Sequence, residues 1–153
     1  MNGYNVLARF PYYNAGACEG CPQRPTDAQL SGPYVSSWTA EDIWFVSAGL
    51  DARLVPQVYA EDGASARQWA TLKQVTEPVF GTLPIDGVLT QYWACKDRDK
   101  NAPADPCPQT RNLPETGWNQ QAQQLRRLGL PADLPWLTDV RWDFDLSVFP
   151  GGS

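Results

Sequence analysis

The sequence predicts an α/β fold in which a mainly parallel sheet is covered by helices. Short apolar segments with the character of strands alternate with segments of helical periodicity, and this alternation is typical of α/β proteins. The 153 residues, of which 42% are hydrophobic, are enough for one hydrophobic core. We therefore expect a single domain over residues 1–148 and a flexible tail over residues 149–153.

Five segments are predicted as strands because they are short, apolar and bounded by turn-forming residues. They are Val6 to Tyr13, Ile43 to Ala48, Leu54 to Tyr59, Asp86 to Trp93 and Leu137 to Trp142. Only five residues separate the second segment from the third, which is too few for the crossover helix that joins two parallel strands. One of these two assignments is therefore in doubt, or the two segments do not form a simple strand–helix–strand unit.

Two segments are predicted as helices. From Ala64 to Glu77 the apolar residues fall on one helical stripe, and Pro78 is expected to end the helix. Pro114 opens the second helix, in which apolar residues recur at spacings of three and four until Gly129. Of the seven Trp, those on the two helical stripes are expected in the core, which leaves others free to contact a ligand. The freer ones are Trp38, Trp136 and Trp142.

The charge balance disfavours two classes of partner. The chain has 12 basic and 17 acidic residues, a net charge of −5, which gives no electrostatic footprint for nucleic acid or for an anionic membrane surface. The longest apolar or small-residue run, Ile43 to Leu50, is far shorter than the roughly 20 residues that cross a bilayer. No nucleic-acid partner and no membrane insertion are therefore predicted.

Four Cys and the lack of any His restrict the chemistry. A Ser-His-Asp or Cys-His arrangement is impossible without His. We predict that Cys18, Cys21, Cys95 and Cys107 form structural disulfides, and Cys95–Cys107 across a Pro/Asp-rich loop is the plainest of the possible pairs.

Two alternatives for the Cys remain open. A four-thiolate zinc site would need a second C-x2-C pair, which is missing. A redox pair at Cys18 and Cys21 is disfavoured, because an irregular loop follows it and not a helix whose N-terminus would stabilise a thiolate. No metal and no other cofactor is predicted.

Polar side chains late in the predicted strands mark a candidate site, because sites in parallel sheets lie beyond the carboxyl ends of the strands. Alternation puts Gln57 and Tyr59 on one face of the third strand, Gln91 on one face of the fourth, and Asp139 on one face of the last. If these faces converge, Asp139 is the candidate acid or base. The predicted substrate-contacting residues are Arg9, Tyr13, Gln57, Tyr59, Gln91 and Trp142.

The same polar residues have a structural interpretation. Gln and Arg within strands can hydrogen-bond to their neighbours, and Asp139 can pair with Arg141 or Arg9. Glycoside hydrolysis usually needs two carboxylates beside the scissile bond, and the only good candidate is Asp139. Glu61 and Asp62 follow the third strand closely, but capping of the helix at Ala64 explains them better.

Six short motifs occur in order over nearly the whole chain. They are Tyr12–Pro22 (YYNAGACEGCP), Asp42–Gly49 (DIWFVSAG), Val55–Tyr59 (VPQVY), Ala66–Trp69 (ARQW), Gly87–Gln91 with Ala94–Cys95, and Thr138–Trp142 (TDVRW). Together they resemble the carboxyl-terminal part of a family of bacterial secreted proteins with a glycoside-hydrolase-like TIM barrel. The resemblance implies a partial (β/α) barrel of about five strands, and an extracellular protein exported through an upstream signal absent from this sequence.

The resemblance also implies a role on polysaccharide or cell-wall glycan, either as a hydrolase-like fragment or as a non-catalytic glycan-binding module. The chain departs from the family pattern at Gln57, where Glu is usual, and at Ala48, where Trp is usual. If that Glu were catalytic, the amide at Gln57 could not transfer a proton. Catalysis by this chain is therefore in question.

A barrel of this kind needs about 200 residues at minimum, so five strands cannot close. Two sheet edges would be left exposed. We expect the chain to associate with itself through these edges or to require a missing N-terminal half.

Overall fold

A computed structural model describes residues 12–34, 36–49, 52–99 and 107–140. The elements are β1 (Tyr12–Asn14), a 3-10 turn (Pro25–Asp27), α1 (Ala40–Ala48), β2 (Ala52–Leu54), α2 (Ala64–Phe80), β3 (Gly87–Thr90), α3 (Tyr92–Asp99), α4 (Pro114–Arg127) and β4 (Trp136–Asp139). The α/β class is confirmed. Within the described ranges there are four short strands, all parallel to their neighbours, and they form no closed barrel.

The four strands lie side by side in chain order. β1 pairs with β2, with Tyr13 opposite Arg53, and β3 pairs with β4, with Gly87 opposite Trp136. Isolated parallel bridges join the two pairs, at Leu54 with Ile85 and at Gln57 with Leu89. The carboxyl ends of all four strands therefore meet along one edge.

The array is curved. The rings of Tyr13 on β1 and Trp136 on β4 have centroids 6.3 Å apart at an interplanar angle of 78°. In a flat array the first and fourth strands would lie about 14 Å apart, since neighbouring strands are about 4.8 Å apart. Contact between the two rings therefore requires the strands to bend toward each other, with Tyr13 and Trp136 on the concave face.

The other face of the strands packs on helices. Leu54 belongs to a buried cluster with Trp69 of α2 and Leu125 of α4, and Val58 packs with Val88 and Ala66 in a second cluster. Gly117 allows α4 to approach closely, because a Cβ there would lie 2.8 Å from Thr90 Cγ2 and 3.4 Å from the Val58 carbonyl oxygen. The core therefore lies between the strands and α2 and α4.

The prediction of a strand over Ile43 to Ala48 is wrong, because these residues belong to α1. The hydroxyl of Thr39 accepts from the Asp42 N–H, and the Asp42 carboxylate accepts from the Thr39 N–H at 2.9 Å, so that the two form a capping box. The buried residues of α1, Ala40, Ile43 and Ser47, recur at helical spacing. Helix α1 is itself the crossover between the parallel strands β1 and β2, so no five-residue connection between two strands exists at this point.

Three other boundaries differ from the sequence prediction. In place of a strand over Leu54 to Tyr59, β2 covers Ala52–Leu54 and Gln57 forms an isolated bridge. The strand that begins near Asp86 ends at Thr90, and α3 starts at Tyr92. Helix α2 continues through Pro78 to Phe80, since a proline in the last turn removes only one donor, and the Gly81 N–H closes the helix on the Glu77 carbonyl at 3.1 Å.

The predicted start and end of α4 are confirmed. Pro114 is its first residue, and Gly129 follows its end with a positive φ of 71°, which favours glycine. The first predicted strand, from Val6, is described only from Tyr12. Of the last predicted strand, Leu137 to Trp142, β4 covers the part that ends at Asp139, Val140 is outside β4, and Arg141 and Trp142 lie outside the described residues.

All four Cys form disulfides, Cys18–Cys21 and Cys95–Cys107. The predicted Cys95–Cys107 pair is therefore confirmed, and it links α3 to the segment that precedes α4. Within the described ranges, no helix is long and apolar enough to cross a membrane.

Candidate functional site

The carboxyl ends of β2, β3 and β4 bring together four residues, Tyr59, Thr90, Gln91 and Asp139, which we call the carboxyl-end cluster. Thr90 and Asp139 are register partners at the last positions of β3 and β4. In the segment that follows β2, the Val58 N–H donates to the Leu89 carbonyl at 2.8 Å, so Tyr59 lies next to the carboxyl end of β3. Three of the residues predicted for the site, Tyr59, Gln91 and Asp139, thus lie at this edge.

Asp139 caps the start of α3. One carboxylate oxygen accepts from the Thr90 hydroxyl at 2.5 Å and from the Tyr92 N–H at 2.8 Å. The other oxygen accepts from the Trp93 N–H at 2.9 Å. Free N–H groups and a partial positive charge at a helix start favour a carboxylate there. Both oxygens thus have structural partners, and the catalytic role of Asp139 stays a prediction.

The register determines which face Asp139 occupies. Asp139 is opposite Thr90, whereas Leu89 is opposite Thr138, and partners in neighbouring strands point to the same face. Thr90 is fully buried beside Gly117 of α4. Asp139 therefore lies on the helix-covered face with Thr90 and not on the face of Leu89. The predicted site required Asp139 to lie on the same face as Leu89 and Gln91.

The other residues of this edge are partly buried. Burial raises the pKa of the Tyr59 phenol, and the negative charge of Asp139 raises it further. The Gln91 amide donates to the Thr110 carbonyl at 3.4 Å. Gln57 is positioned through its backbone, because its N–H donates to the Gly16 carbonyl at 2.8 Å. Arg9, Arg141 and Trp142 lie outside the described residues.

The concave face of the strands holds a second group, Tyr13, Arg53, Asp86 and Trp136, which we call the strand-face cluster. Arg53 donates from Nε and from Nη2 to the two carboxylate oxygens of Asp86, with Nη2···Oδ1 at 2.9 Å. The hydrogen bond and the attraction from Asp86 raise the pKa of Arg53. Tyr13 and Trp136 are each 53% exposed. The cluster therefore combines an ion pair with two accessible aromatic rings.

Sequence reasoning singled out Tyr13 for this site, noted Trp136 as available and missed Arg53 and Asp86. A signal for Arg53 was present, because it is a charged residue between the apolar residues Ala52 and Leu54, which are buried on the opposite face. No comparable local signal identifies Asp86, since its role depends on the pairing of β2 with Ile85.

Asp62 has the capping role that the sequence favours, since its Oδ1 accepts from the Ala64 N–H at 2.8 Å at the start of α2. The four Cys offer no thiolate to zinc while they are paired. Within the described residues, no group of three or more Cys, His, Asp or Glu side chains is arranged to hold a metal ion. Cys18 and Cys21 are both buried, as expected for a structural disulfide.

Comparison with models of known protein families, with curated proteins and with solved structures finds no match for this chain. The resemblance to glycoside-hydrolase-like barrels therefore stays a prediction that depends on the sequence motifs.

Proposed function

We propose that this chain is the carboxyl-terminal part of a secreted barrel-type protein and that it binds glycan on its strand-face cluster without hydrolysing it. The observation that carries the proposal is the pair of half-exposed rings, Tyr13 and Trp136, set nearly at right angles on the concave face.

The chemistry of this face suits a sugar ring. A pyranose has an apolar C–H surface, which packs on aromatic rings, and hydroxyls around its rim, which need polar partners. Tyr13 and Trp136 supply the aromatic surface. Arg53, whose side chain is 46% exposed, supplies donors, and Asp86, whose side chain is 9% exposed, holds the guanidinium in place. Arg53 is the register partner of Tyr13, so the two side chains are neighbours on one face.

Four observations on the strands and helices support a barrel-type architecture, and the disulfides support export. The strands are parallel and follow one another in chain order, the array curves, and helices pack on the outer face. The outer edges of β1 and β4 have no hydrogen-bonded strand among the described residues, as expected if further strands or a second copy complete the sheet. Two disulfides are typical of proteins from oxidising compartments.

Binding is favoured over hydrolysis because the carboxylates near the two clusters already have partners. Asp86 is held by Arg53, and Asp139 is held by the start of α3. Hydrolysis needs one carboxyl group to donate a proton and a second to act as base or nucleophile. Either Asp would have to leave its present partners to do so.

The experiment is co-sedimentation of the full chain with insoluble peptidoglycan, chitin and cellulose, combined with an assay for released reducing ends. We expect binding to at least one polymer without release. Trp136→Ala and Tyr13→Ala should each weaken binding about tenfold, because each removes half of the aromatic surface.

Trp38→Ala is the matched control, since Trp38 is 46% exposed, precedes α1 and does not belong to the strand-face cluster. Equal loss with Trp38→Ala, or no binding to any of the polymers, would refute the proposed site. Release of reducing ends that Asp139→Asn abolishes would establish hydrolysis instead.

A further inference from the structure

A cavity of about 450 Å³ lies on the helical side of the molecule, away from the strand-face cluster. The segment after the first disulfide, α2 and the end of α4 form its walls. Its polar lining consists of Gln23, Arg24, Arg67, Thr71, Gln124 and Arg127. We call this site the arginine pocket. It has three guanidinium groups and no acidic residue in its lining, although the whole chain carries a net charge of −5.

The three charges are only weakly compensated. Arg67 lies 3.7 Å from the carboxylate of Asp62, which is largely exposed, and an exposed pair of this kind contributes little. Arg24 and Arg127 are exposed and have no ion pair with any described residue. Three cations that face one cavity repel each other, and an anion in the cavity would relieve that repulsion.

The wall that carries Arg24 is fixed in place. The Cys18–Cys21 disulfide closes the turn before it, and the Cys21 carbonyl accepts from the Gln68 side-chain amide at 3.0 Å. Gln23 Oε1 accepts from Arg67 Nε at 2.8 Å, which orients this guanidinium. Because Arg67 and the backbone next to Arg24 are already positioned, binding a ligand costs less entropy than it would at a mobile site.

Compensation of a helix dipole does not explain the arrangement. Arg127 lies in the last turn of α4, where a cation is favourable. Arg24 and Arg67, however, come from two other elements and face the same cavity. The buried Thr71 adds a hydroxyl to the lining, and Gln124 adds an amide.

We infer that the arginine pocket binds a phosphate or sulfate group. Guanidinium groups, amide N–H groups and a hydroxyl all donate hydrogen bonds to oxyanions. A group with two negative charges would compensate the excess positive charge of the pocket. The group belongs either to a free ion or to an ester on a sugar. This inference goes beyond the proposed glycan site and does not depend on it, since the two sites share no residue.

The test is calorimetric titration of the full chain with inorganic phosphate near neutral pH, with sodium chloride adjusted to keep the ionic strength constant. We expect saturable binding at one site. Arg24→Ala and Arg127→Ala should each weaken it by at least about fivefold, because each removes a charge-assisted donor.

Arg126→Ala is the control, because it removes the same charge from the same turn of α4 but lies outside the pocket lining. It should weaken binding less than about twofold. Absence of saturable binding by phosphate and by sulfate, or equal weakening by Arg126→Ala, would overturn the inference.

A second titration compares glucose 6-phosphate with inorganic phosphate and with glucose. Tighter binding of the sugar phosphate identifies an ester as the ligand, and equal binding identifies the free ion. Glucose that binds as tightly as the sugar phosphate would count against an oxyanion site. Trp136→Ala should leave phosphate binding unchanged, so failure of this inference and failure of the glycan proposal are distinguishable.

Discussion

The strand-face cluster and the carboxyl-end cluster contain the same kinds of side chain, but these side chains have different roles. Each contains an Asp and has aromatic residues nearby, but in the carboxyl-end cluster Asp139 holds two backbone N–H groups of α3. In the strand-face cluster, Asp86 holds a side chain, and the neighbouring rings remain about half exposed. Asp139 therefore caps a helix, whereas Asp86 holds a partly exposed guanidinium.

If the proposed glycan site is correct, the carboxyl-end cluster serves stability and the strand-face cluster serves recognition. Substitutions in the carboxyl-end cluster should lower the free energy of unfolding, whereas substitutions of the exposed rings should lower affinity for glycan and leave the fold intact. Four substitutions test that division.

Gly117→Val should lower the free energy of unfolding by about 3 kcal/mol, because overpacking a close contact forces backbone shifts. The added Cβ would lie 2.8 Å from Cγ2 of Thr90, which belongs to the carboxyl-end cluster. Urea denaturation measures the effect. Gly129→Asn is the control; no atom lies within 4 Å of an added Cβ there, and Asn tolerates a positive φ. Equal losses for the two variants would show that α4 does not pack closely on Thr90.

Asp139→Ala should lower the free energy of unfolding by about 2 kcal/mol, because it removes the cap of α3. Asp139→Asn should lower it less, since one amide oxygen can still accept hydrogen bonds. The exposed Asp133 offers a control of equal charge, and Asp133→Ala should change stability by less than about 0.5 kcal/mol. If Asp139→Ala is as stable as the Asp133 variant, the carboxylate is free for another role.

Trp136→Ala should change the free energy of unfolding by less than about 1 kcal/mol, because its ring is half exposed. The same variant should lose its affinity for insoluble glycan. Thermal and urea denaturation, run beside co-sedimentation, separate the two effects. A large loss of stability would show that the ring contributes to the folded core, and the two clusters would then not differ in their contribution to stability.

The phenol of Tyr59 should titrate above its ordinary pKa of 10.0. The protonated phenol then stabilises the folded state; this contribution is complete below the unfolded pKa and is lost as the pH rises through the folded pKa. Tyr59→Phe should therefore reduce the alkaline fall in stability.

Ultraviolet titration of tyrosinate tests the coupling to Asp139. Asp139→Asn should lower the pKa of Tyr59, because it removes a nearby negative charge. Tyr34 is an internal control, since burial alone raises its pKa. A Tyr59 pKa that does not respond to Asp139→Asn would mean that the two groups do not interact.

Features coded by nearby residues could be predicted from the sequence. The apolar residues at spacings of three and four, together with Pro114 and Gly129, predicted α4. The short loop between Cys95 and Cys107 predicted their disulfide. The apolar run from Ile43 was ambiguous, because a short buried helix and a buried strand have the same composition. The Thr39 and Asp42 capping box would have decided it.

Features set by distant residues could not be predicted in the same way. Strand β3 gives way to α3 at Tyr92 because the N–H groups of Tyr92 and Trp93 donate to Asp139, which lies on β4. The face that Asp139 occupies likewise depends on the register of β4 against β3. For the site, alternation along one strand identified the polar residues but not which of them share a surface.

The contact between Tyr13 and Trp136 has a consequence for how the protein matures. The two rings are far apart in the sequence, so Tyr13 leaves the ribosome well before Trp136. Contacts of such large sequence separation form slowly, because a long loop must close first. A nascent or truncated chain that stops before Trp136 has no paired rings, and the concave surface therefore exists only in molecules whose synthesis and folding have reached β4.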